Sequence, residues 1–224
     1  MSRVQLPDLK AQLGVLHRAD GSCAFVQGNC CLWASVFGPG DCRASRQDIE
    51  RSVVEVNFKP AIAAIGSSSE WSRVHDVVGR VLNSVILTRQ HPRTQISITI
   101  QEFESDTNSG LLSAAINCAC LAALDAALPM KCTLASVTLT LDQSAEPCWT
   151  ILANQSASSS APCPHVTLVT ESTANQIVWS QCEGVLSPDQ LKTAFSLGQE
   201  ACKQIFQFYR TILKQTYCRM VQFV

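Results

Sequence analysis

Hydrophobic and polar positions alternate in short runs over the first third of the chain, and each run stops at a turn signal. The runs are Gly14–His17, Ser22–Gln27 and Cys30–Phe37. The stops are Arg18-Ala19-Asp20-Gly21, Gly28-Asn29 and Gly38-Pro39-Gly40-Asp41. Asp-Gly is a strong hairpin signal because glycine accepts positive φ without steric cost. The three runs are therefore predicted to form an antiparallel meander. Ser52–Phe58, with Val54, Val56 and Phe58 alternating, reads as a fourth strand closed by Lys59-Pro60, and the small residues of Ala61–Ser69 read as a flexible loop. From Glu70 to Leu87 the period changes. Val74, Val77, Val78, Val81, Leu82 and Val85 fall at i, i+3, i+4, i+7, i+8 and i+11, one continuous helical stripe.

Arg89–Thr94 reads as a basic turn, Gln95–Phe103 as an alternating strand, and Ser113–Leu128 as an alanine-rich helix stopped by Pro129. Small side chains along that helix imply close packing. The second half repeats the theme. Thr133–Leu141 and Trp149–Leu152 are strands, Ser156–Pro164 is a Ser/Ala/Pro loop, and His165–Thr170 with Gln176–Gln181 makes a hairpin. Ser187-Pro188-Asp189-Gln190 opens a last helix predicted to run to about Lys214, because Ser can cap, Pro suits the first position and Gln completes a capping box. Strands followed by helices, twice over, give an α+β or α/β arrangement. The halves lie at about 1–130 and 131–224, with no separate linker or tail.

Composition narrows the function. Net charge is −1, with 17 basic and 18 acidic residues. No global field draws nucleic acid or acidic membrane, so any nucleic-acid contact has to come from a local patch. Met1–Pro7 has no signal-peptide h-region and no apolar run approaches the roughly 20 residues of a membrane span, so a soluble intracellular protein without a membrane partner is expected. None of the 12 cysteines forms a C-x-x-C pair. The set reads as small buried hydrophobes with reduced thiols, and neither metal nor cofactor is expected. Asp106 and Asp142 read as strand-terminating turn residues, and Cys163-Pro164-His165 as chance proximity rather than a nucleophilic pair. His17 and His75 read as surface or boundary residues.

Four pieces in fixed order carry a resemblance. They are Arg18-Ala19-Asp20-Gly21-Ser22-Cys23-Ala24-Phe25-Val26-Gln27-Gly28-Asn29 running on to Val36-Phe37-Gly38-Pro39; His91-Pro92-Arg93-Thr94; Ala119–Met130; and Phe206-Gln207-Phe208-Tyr209-Arg210. Together they resemble RNase PH-type subunits of the RNA exosome. The resemblance implies an RNase PH-like fold of two packed βαβ-rich halves. It also implies pairing with other RNase PH-type subunits into a six-membered RNA-threading ring, and service in 3′-to-5′ RNA processing and degradation, including rRNA maturation. Nucleus, nucleolus and cytoplasm are the expected locations.

Active relatives attack RNA from the 3′ end with inorganic phosphate. Holding phosphate beside a phosphodiester calls for arginine forks, and charge on the leaving oxygen calls for an acid or a carboxylate-held metal. The resemblance puts Glu70 at one phosphate-binding arginine position and Leu112 at the other. It puts the catalytic aspartates at and beyond Ala153, where no Asp or Glu occurs from Pro147 through Thr170. The expected protein is thus a noncatalytic structural and RNA-binding subunit. A homodimeric nuclease acting on RNA or DNA through other residues is the alternative. Candidate contacts to single-stranded RNA, with DNA left open, are Lys59, Arg73, Arg80, Arg89 and Arg93. Arg210, Lys214 and Arg219 form a second patch, explained equally well by the C-terminal end of the last helix. The isolated chain is expected to be a homodimer.

Overall fold

A computed structural model describes residues 6–61, 68–104, 108–142, 148–151 and 164–221. Thirteen segments follow one another: β1 (Leu9–Leu13), β2 (Gly21–Gln27), β3 (Cys30–Asp41), β4 (Val53–Lys59), α1 (Ser68–Val85), a 3-10 turn (Thr88–Gln90), β5 (Thr94–Glu104), α2 (Asn108–Asp125), β6 (Leu134–Asp142), β7 (Cys148–Ile151), β8 (His165–Glu171), β9 (Ile177–Glu183) and α3 (Pro188–Val221). They build two sheets, one of order β1-β2-β3-β5-β4 and one of order β7-β6-β8-β9. β4 and β5 run parallel, joined through α1 as a βαβ unit. Every other pairing in either sheet is antiparallel.

Helix α2 packs against both sheets, touching β2 and β3 on one side and β6 and β8 on the other. Its stretch from Leu111 to Ala123 is buried all round. An apolar-all-round helix belongs in the middle of a core. The buried side chains of both halves accordingly form one continuous cluster, from Phe25 and Ile98 to Leu139 and Leu168. The valine stripe of α1 closes over β4, where Gly79 lies against Val56.

The meander differs from the sequence expectation at its turns: β3 continues through Gly38-Pro39-Gly40-Asp41, where the sequence predicts a stop. The first strand is Leu9–Leu13, and Gly14–His17 belongs to the connection. Gly14, at φ +67, ends the strand, and its N–H donates to the Ser22 carbonyl at 3.0 Å. Gly21 is not a turn residue but the first residue of β2. A Cβ there would sit 2.2 Å from the Ala126 nitrogen and 2.6 Å from the Ala122 carbonyl oxygen. Glycine is required because β2 meets the end of α2 backbone to backbone, a contact fastened by the Ser22 N–H donating to Asp125 Oδ2 at 2.9 Å. Gly28-Asn29, by contrast, is a two-residue turn with φ +58 at Gly28, and Gln27 pairs with Cys30 across it.

Helix α2 begins at Asn108, five residues ahead of the expected start. Its C-terminus closes on Ala127 at φ 51, with Leu128 N–H donating to Ala123 O and Ala127 N–H to Leu124 O, both at 3.1 Å. The box at the start of α3 forms as expected: Ser187 N–H donates to Gln190 Oε1 at 2.9 Å and Gln190 N–H to Ser187 Oγ at 3.3 Å. That helix continues past Lys214 to Val221, since no breaker intervenes. The expected loops lie largely outside the described residues, and Ser68 and Ser69 belong to α1.

Candidate nucleic-acid interface

The C-terminal end of β4, the start of α1 and the ends of β8 and β9 meet at one place between the halves. Arg73, in the second turn of α1, reaches across to Glu183, the last residue of β9, with Nη1 2.6 Å from Oε1. Gln181 Nε2 donates to the same oxygen at 2.5 Å. His165 Nε2 lies 3.2 Å from Oε2, and His165 and Glu183 are register partners across the β8–β9 pair. One carboxylate thus gathers a guanidinium, an amide and an imidazole. It is a half-exposed site, so the ion pair itself adds little stability. What it does is commit the charge of Arg73 to an internal partner.

The positions that the resemblance assigns to phosphate chemistry are apolar, acidic or outside the described residues. Leu112 is 7% exposed and part of the hydrophobic cluster. Glu70 lies in the first turn of α1. Ala153 lies outside the described residues, as does Asp106, and Asp142 is the last residue of β6. Among the described residues no three His, Cys, Asp or Glu side chains come together as a metal site.

The five cations named from the sequence do not form one patch. Lys59 is exposed at the end of β4 and pairs in register with Gln101, while Arg93 directly precedes β5. Six residues of parallel strand separate those two ends, roughly 20 Å. Lys59 and Arg73 share the end near Glu183. Arg89 sits on the 3-10 turn at the other end, near Arg93, whose N–H donates to Asp48 O at 3.1 Å. Arg80 lies between, on a groove of about 440 Å³ between α1 and the free edge of β4, lined also by Arg46, Glu55, His75 and Gln95. Arg46 is held by Glu55 at 3.5 Å. Arg210 and Lys214 are exposed on α3.

Sequence reasoning missed Glu183, Gln181 and His165. The strand alternation places all three on one sheet face, but nothing local says that an arginine from α1 will arrive there. Six cysteines behave as expected of small core residues, while Cys31 and Cys132 are half-buried and Cys182 and Cys218 are exposed, against the expectation for the set. Cys23, Cys30, Cys42, Cys118, Cys120 and Cys202 are buried. Burial pushes the Cys120 and Cys202 thiols up to about 12 and raises Cys118 in the same direction.

Comparison with known proteins places this geometry. The chain is 28% identical to the Exosome complex component RRP46 homolog of Caenorhabditis elegans over 225 residues, covering 94% of this chain and 95% of that one. It is 27% identical to Exosome complex component RRP41 of Homo sapiens, covering 94% and 87%. The crystal structure of rice (Oryza sativa) Rrp46 superposes with a TM-score of 0.81 at 26% identity, over 95% of this chain and 98% of that one. Residues 5–129 match domain 1 of the 3′ exoribonuclease family, RNase_PH, and the chain belongs to that family.

Proposed function

We propose that this chain is a noncatalytic, RNA-binding subunit of an RNA exosome ring, supporting 3′-to-5′ RNA processing. The observation that carries the reading is the Arg73–Glu183 contact at 2.6 Å. Arg73, one of the cations offered for phosphate contact, is already occupied by a carboxylate of the protein. Leu112 is buried and supplies no replacement, and the first turn of α1 carries Glu70 where the resemblance calls for an arginine. Relatives that share the full length of the chain carry exosome component names, which supports the ring assignment. Work in the nucleus, nucleolus and cytoplasm, and homodimers when the chain is isolated, belong to the same reading.

Single-stranded RNA is read through phosphate contacts by the exposed cations rather than by sequence. Because Lys59 and Arg73 lie apart from Arg89 and Arg93, the two ends are tested separately. Paired alanine variants at each end, titrated over a salt series, identify the end that matters by the loss of salt slope. If neither pair changes affinity or slope, RNA does not bind at these cations.

Phosphorolysis is expected to be absent. Each missing charge-assisted bond to the oxyanion costs about 1.5–3 kcal/mol, and about 1.4 kcal/mol is tenfold in rate. The assay is release of nucleoside diphosphates from a 3′-unstructured RNA with phosphate and magnesium present. Robust product that disappears without phosphate overturns the noncatalytic reading. Hydrolytic product independent of phosphate turns it toward a nuclease.

A further inference from the structure

We infer that the free edge of β4, with the groove that α1 forms beside it, takes up an extended peptide segment of a partner protein by strand addition. The inference goes beyond the RNA reading and does not rest on it. β4 is the last strand of its sheet and pairs only with β5. In a parallel ladder, alternate residues turn their N–H and C=O groups away from the neighbouring strand. The seven residues Val53–Lys59 therefore present about three such pairs to the outside. Among the described residues no other group hydrogen-bonds to that edge. Donors and acceptors alternating at strand spacing are matched by another extended backbone. A phosphate, which offers acceptors alone, leaves the carbonyls unanswered.

Edges of this kind are commonly guarded by bulges or charges. β4 carries no bulge, since its register with β5 runs unbroken from Val53 opposite Gln95 to Lys59 opposite Gln101. Its middle charge is drawn aside: Glu55 is held by Arg46 at 3.5 Å and by the side-chain amide of Gln95. The groove wraps round the edge. Arg46, Glu55 and Gln95 line it on one side of the sheet, and Asp76, Gly79 and Asn83 of α1 on the other. An added strand sends alternate side chains to the two sides, and the groove has walls for both.

Gly79 narrows the class of side chain. It lies in the middle of α1, at the groove and against Val56. A Cβ there would sit 3.8 Å from Val56 Cγ2, an ordinary contact, so the fold itself has room for alanine. Glycine inside a helix is less favourable than alanine, and no close approach within the chain calls for it. The space it leaves is walled by Val54 and Val56. A β-branched side chain on the added strand, valine or threonine, suits that space and loses little rotamer freedom there. The charges do not select an anion. Arg46 and Arg80 face Glu55 and Asp76 across the groove, so no net charge draws phosphate. Arg80 thus belongs to this groove rather than to the RNA contacts.

Fluorescence anisotropy on the full chain tests this, with a labelled octapeptide of alternating valine and threonine as the probe. Two copies of the peptide carry N-methyl groups on every second amide, one copy on each set. The parent is expected to bind. One methylated copy should lose affinity by roughly tenfold or more and the other should bind like the parent, because only alternate amides meet the edge. Gly79→Ala should raise Tm by about 2–4 °C yet weaken the parent several-fold, and Gly79→Leu should abolish its binding. If Gly79→Leu fails to fold, Gly79→Ala carries the test. The inference is overturned if the parent does not bind, if the two methylated copies behave alike, or if the Gly79 variants bind as tightly as the wild type. Displacement of the peptide by single-stranded RNA gives the groove to RNA. A wild-type dimer that Gly79→Leu dissociates gives the edge to a second copy of the chain. Either result overturns it as well.

Discussion

The side-chain amide of Asn117 is used to capacity inside the core. Its nitrogen donates to Gln27 Oε1 at 3.1 Å and to the Ser136 carbonyl at 2.9 Å. Its oxygen accepts from the Ser136 N–H at 2.8 Å and from the Tyr209 hydroxyl at 2.9 Å. Two donor hydrogens and two acceptor lone pairs are the whole inventory of the group. Asn117, Ser136 and Tyr209 are all essentially inaccessible to water, so one residue pins α2 to β2, to β6 and to α3 at once. The pair of bonds to Ser136 copies a backbone ladder contact on the edge of β6 opposite β8, beyond the Leu139–Asp142 stretch that pairs with β7. Removal takes the Asn117 partner from a buried N–H, a hydroxyl and the Gln27 amide oxygen, at about 1–3 kcal/mol each. Asn117→Leu should therefore destabilise the fold by about 3–5 kcal/mol and lower Tm by roughly 10 °C or more. Tyr209→Phe, which removes one bond without leaving a buried donor, should cost about 1 kcal/mol. Thermal melts of the two variants decide it. Equal effects would mean that the network acts only through the tyrosine.

At the scale of elements, the tie between α1 and β9 is electrostatic and reversible, unlike the Asn117 network. Glu183 holds Arg73 and is itself 35% exposed. Glu183→Gln keeps the shape of the side chain and frees the guanidinium. Affinity for single-stranded RNA should rise, and the slope of log affinity against log salt should steepen by about 0.7, the value of one added phosphate contact. An unchanged slope would mean that Arg73 never reaches RNA. The asymmetry between sequence and structure is clearest here. The valine stripe of α1 was legible because a helix buried on one face repeats every 3.6 residues. The start of α2 was not, because a helix buried all round has no stripe to begin. Gly14 reads as part of a strand and ends one, while Gly21 reads as turn punctuation and opens a strand. Gly21 answers to a helix more than a hundred residues away in sequence. The apolar character of Leu112 could be read directly. The pairing of Arg73 with Glu183 could not, since opposite charges on distant elements leave no local trace. Nor did the sequence show that Lys59 and Arg73 would lie at one end of the β4–β5 pair and Arg89 and Arg93 at the other.

For the whole molecule, near-neutral charge and twelve cysteines shape how stability responds to pH. The core is built partly from thiols, and burial of Cys120 and Cys202 raises both from the ordinary 9.0 to about 12. Cys118 shifts the same way, and burial pushes Tyr209 up from 10.0. Below pH 9 both the folded and the unfolded chain keep these protons, and the full contribution of the buried thiols is present. Between pH 9 and about 12 the unfolded chain releases them while the folded chain holds them. The folded state then binds more protons, so stability falls as pH rises. Each such thiol contributes a slope of about 1.4 kcal/mol per pH unit, and Cys120 and Cys202 together about 3. Tyr209 adds to the slope above pH 10. Chemical denaturation at pH 8 and at pH 10 should therefore show a loss of a few kcal/mol on going to the higher pH, out of the roughly 5–15 kcal/mol typical of a domain. Ultraviolet thiolate absorbance of the native protein gives an independent reading. The buried set should appear only as the protein unfolds, after the exposed Cys182. Equal stability at the two pH values, or a single thiolate transition near pH 9 in the folded chain, would show that the core is open to hydroxide and that these cysteines do not pack as buried hydrophobes.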